Sequence, residues 1–349
     1  MRIWSCFGLL FAAITLICLP QTAGAAGSVD PQFWAAYKEK FLDPSGRIID
    51  NGNGNISHSE GQGYGLLLAY LADSPSDFEQ IWYFTRTELL LRDDGLAVWK
   101  WDPSETPHVK DSNNATDGDL LIAYALALAG SSWSRNDYLA VAQKMAKSIL
   151  SETVVTVGGR TLLLPGTQGF TSSDRKDGPV VNLSYWIYEA LPVMKALAPS
   201  DSWDKLAADG LDLTDDAQFG PRKLPPEWLS VVRVPAPATG FDVEFGYNAI
   251  RIPLYLIRGG VTDAALLERL RTAMIAGDGT PAIFDLMSGK VKEPLPDPGY
   301  QIVGDLLACV LHKTKLSDSV RRFAPAYYYP STLQLLGLSY AMERHPECL

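Results

Sequence analysis

The chain has 349 residues, 47% of them apolar and 20% charged, with a formal net charge of −10. That acidic balance excludes the electrostatic footprint of a nucleic-acid binder and suits a neutral substrate, while the length suits one large domain or two small ones. Neither CxxC nor His-rich metal spacing occurs, so no metal or cofactor is expected.

Residues 1–25 combine one positive charge, an apolar run and a small-residue end, Ala23-Gly24-Ala25, which reads as a cleaved secretory signal. Pro20 and the small polar residues after it argue against an uncleaved anchor, and Ile17 before Cys18 argues against a lipid-modified cysteine. Removal takes Arg2 and no acid, moves the charge from −10 to −11, and leaves 26–349 for a secreted or periplasmic protein. No later apolar run reaches the roughly 20 residues of a membrane span. Of four cysteines, Cys6 and Cys18 leave with the signal. Cys309, in an apolar run, and Cys348, beside the end, read as a buried thiol and a frayed-tail thiol, a bridge between them being the other reading.

From there two kinds of segment alternate. Amphipathic stretches at 30–41, 75–92, 135–151, 201–213, 262–276 and 316–323 interleave with segments apolar on most sides at 60–73, 117–130, 183–198, 246–258, 300–312 and 329–343. A helix apolar all round is a buried helix. The pattern predicts an all-α toroid, six inner helices wrapped by six outer ones, over an open solenoid, because no fixed-period repeat is present. A small hairpin is expected at 153–164, with Gly158-Gly159 at its turn. No Pro/Gly/Ser-rich linker divides 26–349, which predicts a single domain.

Unusual residues gather at the starts of the inner segments: "SHSEGQGYG" (57–65), "ATDGD" (115–119), "NLSYW" (182–186) and "FGYNAIR" (245–251). In a ring these starts share one end and line a common cleft. Ser57 and Glu60 fit a capping box, but Gly61, Gly63 and Gly65 are costly in a helix and suggest backbone passing close under a bulky ligand. Asp117 and Asp119 suit the first turn of a helix. They equally suit a glycoside cleavage site, in which one carboxylic acid protonates the leaving oxygen and an ionised partner orients water. Tyr64, Trp99, Trp101, Tyr185, Tyr247 and the triplet Tyr327-Tyr328-Tyr329 offer flat faces for sugar rings. Trp186 and Tyr329 read as core aromatics, whereas the alternating tryptophans of "VWKWDP" (98–103) read as partly exposed.

These motifs resemble glycoside hydrolase family 8 in order and over most of 26–349. "ATDGDLLIAYALALAGSSW" (115–133) is similar to the family signature, with Ala127 smaller than usual; "SHSEGQGYG" is similar to its acid motif, and "NLSYW" and "YNAIRIP" to its later elements. The resemblance implies an (α/α)6 barrel with a long cleft and inverting hydrolysis of β-1,4-glucan or cello-oligosaccharides; a monomer is expected. It is nearest the endo-β-1,4-glucanases that accompany bacterial cellulose synthesis, whose synthesis machinery would be a partner. It implies Glu60 as general acid, Asp117 at the cleavage point, Tyr185 on the water and Arg251 holding the neighbouring carboxylate. Tyr64, Trp99, Trp101, Asp119 and Tyr247 are the expected substrate contacts. One departure matters: Asn248 stands where the family commonly has its base Asp. Three readings follow: Asp117 serves as base through Tyr185, Asp242 or Glu244 swings in, or the protein binds glucan without turnover. The family also spans xylan, mixed-linkage glucan and chitosan, which remain alternative polymers.

Overall fold

The computed structural model describes residues 26–349, so the expected signal at 1–25 lies outside the described residues. The six inner helices are α2 (Ser59–Leu71), α4 (Thr116–Ser132), α6 (Leu191–Leu197), α8 (Ile252–Arg258), α10 (Pro298–His312) and α12 (Tyr328–Arg344). Six outer ones alternate with them in the chain: α1 (Pro31–Phe41), α3 (Pro75–Phe84), α5 (Asn136–Glu152), α7 (Ser202–Asp216), α9 (Ala264–Ala273) and α11 (Asp318–Arg321). The arrangement is an (α/α)6 barrel. Burial separates the two rings as the sequence pattern predicts. Every residue of α4 from Leu120 to Ala129 is fully buried, whereas α5 buries one stripe, Tyr138, Ala142, Met145, Ala146 and Ile149. Each leucine so enclosed contributes about 1.5–3 kcal/mol relative to exposure, so the inner ring is where the core sits.

Two expected inner helices differ from their segments. Over 183–198 a short 3-10 turn (Leu183–Tyr185) precedes a break, and α6 begins only at Leu191; over 246–258 a 3-10 turn (Ala249–Arg251) leads into α8. Pro192 and Pro253 sit in the first turns of these helices, where the missing N–H is harmless; further in, it would break the ladder.

The hairpin forms as expected, Val154–Val157 against Arg160–Leu163, with Gly158 and Gly159 at positive φ. Three other small sheets were not expected. Ser57–His58 pairs with Lys100–Trp101. Val180–Val181, Leu229–Ser230 and Ala236–Pro237 form a second sheet. Glu244–Phe245, Ala282–Asp285 and Val291–Pro294 form a third.

Cys309 and Cys348 correct the thiol reading: they form a disulfide, Cα–Cα 5.9 Å, joining α10 to a short turn at Pro346–Cys348. The tail is not frayed, since Leu316 N donates to Cys348 O (2.8 Å) and Cys348 is fully buried. Among the described residues no helix is long and apolar enough to cross a membrane.

Candidate active site

The starts of α2 and α4 meet at the floor of one cleft. Two glycines permit it. A Cβ on Gly63 would lie 2.5 Å from Leu121 Cβ, and one on Gly118 would lie 2.1 Å from Ser59 Oγ and 2.7 Å from Glu60 N. Gly63 and Gly118 therefore serve the close approach of two helices, while Gly65 makes room for the Ile48 side chain and Gly61 lies against His58 and Tyr328. The capping box is also corrected. Ser57 Oγ donates to Ile48 O (2.5 Å), and His58 caps α2 by accepting Gly61 N–H at Nδ1 (2.9 Å). His58 Nε2 lies 3.3 Å from Asp50 Oδ2. Released from capping, Glu60 turns to a cation.

That cation is Arg251, 1% exposed and carried by the 3-10 turn before α8. Its Nη1 donates to Glu60 Oε2 (2.5 Å) and its Nη2 to Asp117 Oδ2 (2.7 Å), while Nε has no hydrogen-bond partner among the described residues. The rings of Tyr185, Tyr255 and Tyr329 surround the guanidinium at 5.9–6.0 Å. The two carboxyl groups also hydrogen-bond to each other. Two acids on one guanidinium leave a negative charge that Arg251 alone does not balance, which favours retention of a proton by the pair. Burial and the charge of Glu60, opposed by Arg251, push Asp117 up to about 7. Burial also works against ionising Glu60, but Arg251 and His58 outweigh it and hold Glu60 below the ordinary carboxyl value. The Glu60 side chain is 17% exposed against 2% for Asp117. The proton thus rests on the deeper acid, and the shallower acid faces the cleft.

The cleft encloses about 680 Å³, and its lining includes Glu60, Arg251, Tyr247, Asn248, Tyr300, Tyr327 and Tyr329. Tyr185 is half-buried; burial above all, with the negative charge of the acid pair beside it, raises its phenol well above the usual value, so it stays protonated. Tyr247 is exposed and donates to Glu293 Oε1 (2.7 Å). Tyr329, read from sequence as core, is instead a cleft wall, its hydroxyl donating to Tyr247 O (2.7 Å). Trp186 is core, fully buried with Nε1 on Leu206 O.

Several expected substrate contacts lie elsewhere. Tyr64 is fully buried beneath the site, hydroxyl to hydroxyl with Tyr255. Asp119 is fully buried and pins two loops, accepting from Ala97 N (2.7 Å) and Asn114 Nδ2 (2.8 Å); burial raises it to about 7. Trp101 is held among Phe84, His108 and Arg47. Trp99 borders a separate hollow of about 100 Å³, but its carbonyl accepts from Ser59 N (3.0 Å), next to Glu60. Asp242, 80% exposed, and Glu244 are both engaged by Lys292, and among the described residues neither hydrogen-bonds to Asn248. The group that does is Glu227, which the sequence motifs did not mark: Asn248 N donates to its Oε1 (2.6 Å) and Asn248 Nδ2 to its Oε2 (3.3 Å). Its one sequence signal is a lone carboxylate between two prolines and a tryptophan, "PPEW" (225–228).

The pattern of glycosyl hydrolases family 8 matches residues 4–343. A probable endoglucanase of Novacetimonas hansenii is 37% identical over 317 residues, covering 89% of this chain and 91% of that protein. The structure of an endo-β-1,4-glucanase from Acetobacter xylinum superposes with a TM-score of 0.80 at 35% identity, over 91% of this chain and 99% of that one. An endoglucanase structure from Komagataeibacter sucrofermentans gives 0.80 at 37% identity, over 90% and 98%.

Proposed function

The chain belongs to glycosyl hydrolases family 8 and is a glycoside hydrolase, and on that premise we propose that it is an exported endo-β-1,4-glucanase cutting internal bonds of β-1,4-glucan with inversion. The observation that carries the reading is the pair of acids, Glu60 and Asp117, sharing Arg251 at the floor of an open, tyrosine-lined cleft. An open cleft admits the middle of a polymer. Its aromatic walls suit the C–H faces of pyranose rings, and its acidic lining does not call for an anionic ligand. The similar proteins named endoglucanase support the same polymer.

In this reading Glu60 delivers the proton to the glycosidic oxygen and Asp117 supplies it across their hydrogen bond. Arg251 limits the charge left behind, as a fixed dipole or cation does best in a water-poor site. Tyr185, always protonated, orients the attacking water. Residues 26–349 act as one catalytic domain. Export is supported by the signal-like leader and by the disulfide, which forms and persists in oxidising compartments. A place beside cellulose synthesis, as the family resemblance suggests, completes the proposal.

The test is a substrate panel. Residues 26–349 should release reducing ends from carboxymethylcellulose faster than from xylan, mixed-linkage glucan or chitosan, and cellopentaose should first yield the α-anomer by proton NMR. A first-formed β-anomer contradicts inversion. Binding of cello-oligosaccharides without cleavage would make this a glucan-binding protein.

A further inference from the structure

Single-displacement hydrolysis with inversion, the reading above on which this inference rests, needs two carboxyl groups roughly 6.5–9.5 Å apart with a water between, and double displacement needs roughly 5–5.5 Å. Glu60 and Asp117 meet neither condition. They occupy adjacent nitrogens of one guanidinium and hydrogen-bond to each other, so no sugar carbon and water fit between them. Together they make one acid, and the second carboxylate must come from another part of the cleft.

Few candidates remain. Asp50 stands with His58, on the side of the acid itself, and Asp297, which also lines the cleft, sits at the N-cap of α10 with no hydrogen bond to Asn248. Glu293 takes the Tyr247 hydroxyl, and Asp242 and Glu244 are bound by Lys292. Glu227 differs in its surroundings. Its backbone is fixed by Glu227 N donating to Glu244 O (3.0 Å), and both carboxylate oxygens are directed at Asn248, a cleft-lining residue, by two donated hydrogen bonds. Among the described residues no cation is in salt-bridge contact with it, Arg251 acting on it only from further away, and its charge is felt by both Tyr185 and Tyr329. With Nδ2 given to Glu227, Asn248 has its amide oxygen to offer a water.

We propose that Glu227 is the base of the reaction, taking a proton from the attacking water while Asn248 and Tyr185 hold that water in place. The water oxygen bonds to the anomeric carbon, and its proton passes to a Glu227 oxygen. The bond from that carbon to the leaving oxygen breaks, and the leaving oxygen takes a proton from Glu60. One water is consumed and two shorter chains result; Glu227 then loses its proton to solvent and the Glu60–Asp117 pair regains one. An amide at position 248 is no defect in this scheme, because the carboxylate stands directly behind it. Burial raises the Glu227 carboxyl above its ordinary value, although the Asn248 donors oppose this, and a more basic carboxylate is the better proton acceptor.

The experiment compares wild type, Glu227→Gln and Glu227→Ala on cellopentaose, with unfolding curves to confirm the fold. Glu227→Gln should lower kcat about 100-fold or more, leave KM within a few-fold, and abolish the acidic limb of the pH profile. Azide should restore turnover to Glu227→Ala as the α-glycosyl azide, an outcome that a merely structural role would not produce. Activity of Glu227→Gln within a few-fold of wild type, or a loss in Glu227→Ala that azide does not relieve, overturns the assignment while leaving the glucanase reading intact. A wild type that cleaves no glucan removes the premise and the assignment together.

Discussion

Arg251 and Arg258 lie two turns apart on one segment, both buried and both bound to carboxylates, yet they do opposite things. Arg258 holds Glu189 through two parallel bonds, Nε to Oε1 (2.5 Å) and Nη2 to Oε2 (2.8 Å), and its Nη1 reaches Leu336 O. Tyr124 adds a further donor to Glu189. One cation meets one acid there, the polar groups find partners, and the site lies closed within the core. Arg251 meets two acids, keeps an unpartnered Nε, and faces a cleft on one side. The difference lies in stoichiometry. One guanidinium is matched by one carboxylate there, whereas two carboxyls on one guanidinium favour a retained proton that can be given away. The same residue type, seven positions apart, is thus a staple in one place and part of an acid in the other.

The sharpest way to break that contrast is Glu60→Gln. A loss of about 10³–10⁴-fold in kcat on glucan is expected with the fold retained, measured as reducing-end release; a loss of a few-fold would put Glu60 in the class of Glu189. Glu189→Gln should do the reverse. It strands the Arg258 charge and costs about 3–5 kcal/mol of unfolding free energy, with activity per folded molecule unchanged. The alkaline limb of the wild-type pH profile comes next. The acid works only while protonated, so activity should fall as pH rises through about 7, the value to which burial and Glu60 push Asp117; a profile flat to pH 9 would contradict the retained proton.

Asp119 supplies the smallest effect and extends the comparison to a buried acid bound by neutral donors alone. Asp119→Asn should cost about 1–3 kcal/mol through its two loop contacts. Burial raises Asp119 from about 3.9 unfolded to about 7 folded, so its ionisation removes stability as pH climbs between those values. The penalty of the substitution should therefore shrink from pH 4 to pH 7 in thermal unfolding.

How much of this was legible in the sequence depended on distance along the chain. Helix type was local: apolar residues on all sides of 117–130 marked an inner helix, and one stripe over 135–151 marked an outer one. The gathering of helix starts at Glu60, Asp117 and Arg251 followed from the ring. The reason for Gly63 lies across a helix contact, against Leu121, and that for Gly65 against Ile48, which no spacing reveals. Tyr64 looked like a sugar contact, but its helical phase turns it inward to Tyr255. Nothing local in a residue so near the end says where the tail docks, so the sequence leaves the bridge between Cys309 and Cys348 as the lesser of two readings. Glu227 carried no motif, and its meaning comes only from Asn248, 21 residues later.

Direct titration of the acid pair decides most. In carbon-13 carboxyl NMR of the Asp119→Asn protein, which removes the other group held near 7, one carboxyl should still be protonated at pH 6, titrate around 7, and vanish from that range in the Asp117→Asn double variant. If every carboxyl near Arg251 is ionised by pH 5, no proton is shared there and the acid described here does not exist.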